Sequence, residues 1–139
     1  MENLSDFHCF WSQQLPIPGS MAKAVTYPMC EWRASGFPAE ATHPLNRFVC
    51  NWLASDMTDV ARCDEVLDVM TQLQNGHCKS WFVDGDGFNV DMHTSFVQFN
   101  LSHVGPEDLT CWNQLEGQFK LNEVQRLLRV WRDFLNQRS

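Results

Sequence analysis

At 139 residues, with 44% hydrophobic and 12% aromatic content, the chain carries enough apolar surface for one core, and a single domain over residues 1–139 is expected. Its 17 acidic against 10 basic residues give a net charge of -7, which argues against free nucleic acid as a ligand, because phosphate binding needs a basic footprint. No stretch approaches the ~18 apolar residues of a membrane span and no basic segment followed by an apolar run opens the chain, so a cytoplasmic protein is expected, with its six cysteines as reduced, partly buried thiols.

Five of the six prolines fall in the first 45 residues, interleaved with Phe7, Phe10, Trp11, Trp32 and Phe37. Proline at this density interrupts helices while the aromatics argue against disorder, so residues 1–45 are expected as irregular chain with short strands, Lys23 to Arg33 among them. The apolar run Phe48-Val49-Cys50-Asn51-Trp52-Leu53 is too short for periodicity to separate strand from buried helix, and a strand is expected. From Thr58 to Asn75, Val60, Cys63, Val66, Leu67, Met70 and Leu73 recur at helical spacing, with Thr58 as N-cap and Asn75-Gly76 as the stop. The other face of this helix carries Asp59, Asp64, Glu65 and Asp68 against Arg62 alone, a negative stripe.

Ser80 to Asp84 and Phe88 to Met92 flank Gly85-Asp86-Gly87 and read as a hairpin, because Phe88, Val90 and Met92 alternate with Asn89 and Asp91. Ser95 to Leu101 alternates again and adds a third strand, followed by a loop from Ser102 to about Gly117. The last element is an amphipathic helix from Asn122 to Asn136, with Val124, Leu127, Leu128, Trp131, Phe134 and Leu135 on its apolar face. This order predicts an α+β domain: an antiparallel sheet of three or more strands with two main helices packed on one face.

Candidate chemistry is sparse. Asp84-Gly85-Asp86-Gly87-Phe88-Asn89-Val90-Asp91 begins like a calcium loop, but counting from Asp84 the sixth position is Asn89 and the twelfth Ser95, where glycine and glutamate are needed. A hairpin turn is the better reading. No Cys-x-x-Cys or His-x-x-x-His pair is present, and the adjacent His8-Cys9 and His77-Cys78 point to opposite sides of an extended chain, so no metal or cofactor is expected. Nucleophile-elbow, phosphate-loop, dinucleotide and metalloprotease motifs are absent, and no catalytic residue is assigned. What stands out is charge: Ser80 through Phe119 holds Asp84, Asp86, Asp91, Glu107, Asp108 and Glu116 without one Lys or Arg. If the helix stripe and the hairpin share one side of the domain, their fields add into a surface suited to a basic partner.

From Arg47 onward, the acidic helix, the Trp81-Phe82-Val83-Asp84-Gly85 hairpin, Phe96 to Phe99 and the ending Leu127-Leu128-Arg129-Val130-Trp131-Arg132-Asp133-Phe134-Leu135 resemble small acidic bacterial immunity proteins of contact-dependent and related toxin systems. The resemblance implies a mode of action without catalysis: one-to-one binding that blocks a cognate toxin, often a nuclease with a basic active site. On that reading the chain is not an enzyme, and Asp59, Asp64, Glu65, Asp68, Asp84, Asp86 and Asp91 bind the partner. The alternatives are an inhibitor of another nucleic-acid-processing machine by acidic mimicry, or a small Cys/His-dependent enzyme or metal module.

Overall fold

The computed structural model describes residues 4–14, 18–19 and 24–137. The proline-rich beginning is more regular than its composition implies. A single 3-10 turn, Leu4–Asp6, leads into β1 (Phe7–Gln14), which pairs antiparallel with β2 (Val25–Trp32) in a register that sets Phe7 opposite Trp32 and Trp11 opposite Pro28. A proline inside a strand has no N–H to give the ladder, and the register explains why it is tolerated. Arg33 N–H donates to Asp6 C=O (2.9 Å), which makes Phe7 and Trp32 a non-hydrogen-bonded pair; alternation then makes Trp11 and Pro28 one too, so the proline nitrogen faces away from β1. The expected strand from Lys23 to Arg33 is thus present as β2, with Lys23 outside the described residues.

By the same alternation, Trp32 turns its N–H and C=O outward, where a third strand would pair. Asn46 takes that place: its Oδ1 accepts from Trp32 N–H (2.6 Å), and its Nδ2 donates to Trp32 C=O and Glu40 C=O, both at 2.9 Å. One buried amide therefore ties the hairpin to the next element.

That element is a correction to the sequence reading. The run from Arg47 to Ala54 is not a strand; a π-helical turn, Leu45–Cys50, runs directly into α1 (Asn51–Asp56). Phe48, Val49, Cys50, Trp52 and Leu53 are all buried, and such near-continuous burial erases the amphipathic period by which a helix is recognised. After three residues, α2 (Val60–Gln74) follows, capped by Asp59 rather than the expected Thr58: the Asp59 carboxylate accepts from Ala61 N–H (3.2 Å). Cys63, Val66, Met70 and Leu73 face the core. Gly76 (φ +77°) closes the helix, with His77 N–H donating to Gln72 C=O (2.9 Å) and Gly76 N–H to Leu73 C=O (3.2 Å), the paired bonds of a left-handed C-terminal cap.

β3 (Ser80–Asp84), β4 (Phe88–His93), β5 (Phe96–Leu101) and the three-residue β6 (Gln118–Lys120) form an antiparallel sheet in sequential order. The α+β class therefore holds, with a two-stranded sheet beside the four-stranded one. The expected hairpin and third strand are present, while β6 is too short to leave a pattern. On β5, Val97, Gln98, Phe99 and Asn100 are buried in succession because the loop after it folds back over its polar side. Asn113 N–H donates to Asn100 Oδ1 (2.7 Å), Asn100 Nδ2 to Asn113 Oδ1 (2.9 Å) and Gln98 Nε2 to Gln114 C=O (2.9 Å).

α3 (Leu121–Asn136) packs against α2 and on β5 and β6, burying Leu121, Val124, Leu127, Leu128, Trp131 and Leu135. Trp131 Nε1 donates to Met57 C=O at 2.7 Å, satisfying a carbonyl at the end of α1, and Phe134 stacks on Trp11 of the hairpin with ring centroids 5.2 Å apart. Sheet, helices and hairpin contribute to one cluster of buried side chains. Because Asn46 satisfies three backbone groups at once, Asn46→Ala is expected to destabilise the fold by about 2–4 kcal/mol in urea unfolding, with the m-value unchanged. A loss below about 0.5 kcal/mol would mean that water replaces the amide at no cost.

Candidate functional site

The turn between β3 and β4 is held by a residue that the sequence reading did not single out. Asp56, the last residue of α1, accepts from Gly87 N–H through Oδ1 (2.9 Å) and from Phe88 N–H through Oδ2 (3.0 Å). The carboxylate sits so close that a Cβ on Gly85 would lie 2.5 Å from Asp56 Oδ2, and one on Gly87 would lie 2.7 Å from Ser55 Oγ. Gly85 is therefore required by close approach, while a side chain at Gly87 would first have to turn the Ser55 hydroxyl aside; neither glycine has a positive φ. The segment that resembled a calcium loop is a hairpin turn clamped to a helix end. Among the described residues, no three His, Cys, Asp or Glu groups converge as metal ligands do.

This clamp sets β3 beside α2, and two adjoining hollows open along the junction. One, of about 270 Å³, is lined by Ser55, Asp56, Thr58, Arg62, Asp84 and Asp86 with Met57, Val83 and Gly85. The other, of about 330 Å³, runs between α2 and β3, with Val66, Val69, Trp81 and Val83 as its apolar lining and Arg62, Glu65, Asp68 and Gln72 as its polar one. Five carboxylates and one guanidinium thus border a continuous strip, and Arg62, shared by both hollows, is itself paired with Glu65 at 3.2 Å. Such a strip has a negative potential that water only partly screens inside the hollows.

Of the acids expected to bind a partner, Glu65, Asp68, Asp84 and Asp86 lie on this strip. The other three do not join it. Asp64 lies on the flank of α2 turned toward α3, where Arg132 grips it through Nε–Oδ1 (2.9 Å) and Nη2–Oδ2 (3.3 Å). Asp59 is spent on the helix cap, and Asp91 alternates out of the core side of β4, opposite Phe82 and Gln98 on the other face of the sheet. What sequence reasoning missed, besides Asp56, is the apolar part of the strip. Trp81, 49% exposed, belongs to that part; Phe82, 52% exposed, stands on the opposite side of the same strand. The signal was available in principle, since neighbours on a strand point to opposite faces and a one-sided core can bury only one of them.

A larger hollow of about 580 Å³ lies elsewhere, lined by Trp32, His43, Pro44, Leu45, Phe119, Glu123 and Leu127. Its histidine is committed to local structure, Nδ1 accepting from Leu45 N–H at 3.1 Å, and no cysteine, serine or threonine is among the described residues that line the hollow. The cysteines are all free thiols. Burial pushes Cys9 and Cys63 up to about 12, and Cys30 is also raised, chiefly by its hydrogen bond with Cys50 and by burial, so these three are held as thiols rather than as thiolate nucleophiles.

The chain matches no known protein-family model, no curated protein and no solved structure. The site therefore has to be read from its own geometry: a strip of acid and exposed aromatic side chains along one strand and one helix, built around the Asp56 clamp.

The clamp has a measurable signature. Asp56→Ala is expected to cost about 1–3 kcal/mol in urea unfolding, because two backbone donors lose their acceptor. Gly85→Ala clashes with the same carboxylate, so its cost should fall by more than about 0.5 kcal/mol in an Asp56→Ala background. Strictly additive costs would contradict the contact.

Proposed function

We propose that this chain is an immunity or antitoxin-like inhibitor that binds the basic surface of a cognate toxin domain, of the kind a nuclease active site presents, and blocks it by steric occlusion. The observation that carries the reading is the meeting of Glu65, Asp68, Asp84 and Asp86 with the half-exposed ring of Trp81 on one strip. Acidic side chains at the rim steer a basic partner in and set its register, while a half-exposed tryptophan over an apolar groove has the makeup of an anchor that loses its water on binding. The reading calls for no cofactor and no bond-making step, and it places the protein in the cytoplasm, where an inhibitor meets a toxin that has entered the cell. A cysteine-dependent enzyme is the weaker reading, given that burial holds Cys9 and Cys63 as thiols and that the hollow beside His43 has no cysteine in its lining.

The test begins with the tagged chain in an extract of its native host, captured with and without high salt. A stoichiometric basic toxin or nuclease domain, weakened by salt, is the expected partner. With that partner purified, the combined substitution of Glu65→Gln, Asp68→Asn, Asp84→Asn and Asp86→Asn should slow association about tenfold at low salt and change dissociation less. Trp81→Ala should act the other way, through faster dissociation, by about 2 kcal/mol of binding free energy. Association rates indifferent to both charge and salt would contradict the proposal.

A further inference from the structure

We infer that β3 is an open sheet edge on which a basic extended segment of the partner adds as a further strand; this rests on the inhibitor reading and specifies how the contact is made. β3 stands at the end of the sheet, paired with β4 alone. The direction of its backbone groups follows from bonds at the sheet's margins. Ser102 N–H donates to Gly87 C=O (3.2 Å), which marks Phe88 and Leu101 as a non-hydrogen-bonded pair; Asn89 and Asp91 therefore bond toward β5, and Val90 and Met92 toward β3. The far side agrees: Leu121 N–H donates to Ser95 C=O (3.0 Å), in step with the same alternation through β5 and β6. Val83 and Trp81, the partners of Val90 and Met92, thus spend their N–H and C=O inside the sheet. Ser80, Phe82 and Asp84 turn theirs outward, and among the described residues none of them has a backbone bond on that side.

Edge strands are normally blunted by proline, by lysine within the strand, or by a covering element. β3 has no proline or lysine, and its side chains flank the edge on both faces: Trp81 and Val83 over the α2 groove, Phe82 on the other. An added strand would alternate in the same way. Its groove-side residues would lie along Val66, Val69 and Trp81 with their ends at Glu65 and Asp68, a fit for lysine or arginine, whose aliphatic stems cover apolar surface while their heads meet the carboxylates. Its other side would meet Phe82, where a β-branched residue packs best. Charge selects the occupant against a second copy of this chain: two β3 edges would bring Asp84, Asp86, Glu65 and Asp68 of one molecule against those of another, in a protein already at net -7.

The probe is a capped nine-residue peptide alternating arginine and valine, titrated into the full-length, isotope-labelled protein. Binding is expected at about 10–100 µM, with the amides of Ser80, Phe82 and Asp84 slowed in hydrogen exchange by about tenfold or more at saturation. The same peptide with N-methyl groups on every second amide, on its pairing side, should bind at least about tenfold more weakly, since it keeps its charge and loses the ladder. Phe82→Pro should weaken the unmodified peptide by a similar factor, because the Phe82 N–H it removes faces outward and serves no internal pair, whereas Phe82→Ile should stay within about threefold. Absence of binding, equal binding of the methylated peptide, equal binding of an alternating glutamate–valine peptide, or dimers of the protein in sedimentation that Phe82→Pro dissolves would each overturn the inference. The natural partner separates the two levels: if Phe82→Pro binds it as tightly as the parent chain does, strand addition fails while the inhibitor reading stands; if no basic partner exists yet the peptide pairs, the inhibitor reading fails while the edge stands.

Discussion

The Asp56 carboxylate is the contact on which the functional side of this molecule depends. It ends α1, and by accepting from two successive amides at the start of β4 it fixes where the β3–β4 hairpin leaves the core. Everything on the acidic strip is placed relative to that hairpin: Asp84 and Asp86 on its turn, Trp81 on its first strand, and the α2 groove between strand and helix. Gly85 is the sequence's accommodation to the carboxylate, since a methyl group there would collide with it. Asn46 does comparable work for the other half of the fold, ending the free edge of β2 with a side-chain amide.

The two edges are treated differently. At Trp32 the outward N–H and C=O are met by Asn46, while at Ser80, Phe82 and Asp84 nothing among the described residues meets them. A buried edge must be satisfied by the chain itself, whereas an exposed one can be left to water until a partner supplies the bonds. In β3 this open backbone coincides with exposed aromatics and a surplus of carboxylates, and it is on that coincidence, more than on the acidity of the chain as a whole, that the proposal of a basic protein partner rests.

Much of the frame was legible in the sequence, and where it was not the causes are physical. α2, α3 and the hairpin declare themselves because each has one wet and one dry side, so their apolar residues keep a period. The segment through Phe48, Val49, Cys50, Trp52 and Leu53 is dry nearly all round, which leaves helix and strand indistinguishable by pattern. The proline in β2 pointed toward irregular chain, yet a proline at a non-hydrogen-bonded position costs the ladder nothing. For the candidate site, counting charges led to α2 and the β3–β4 turn but could not separate their flanks: Asp64 turns to Arg132, Asp59 caps the helix and Asp91 stands on the other face of the sheet. Asp56 lay beyond reach because its role is a tertiary contact with residues about thirty positions away.

The most direct test of the account is a hydrogen-exchange footprint of the full chain bound to the basic partner that we propose for it. Protection confined to β3, the Asp84 to Gly87 turn and the Arg62 to Gln72 face of α2 is the predicted result. Protection centred instead on the hollow lined by Trp32, His43 and Glu123, or on the α3 flank around Arg132, with β3 unchanged, would contradict it.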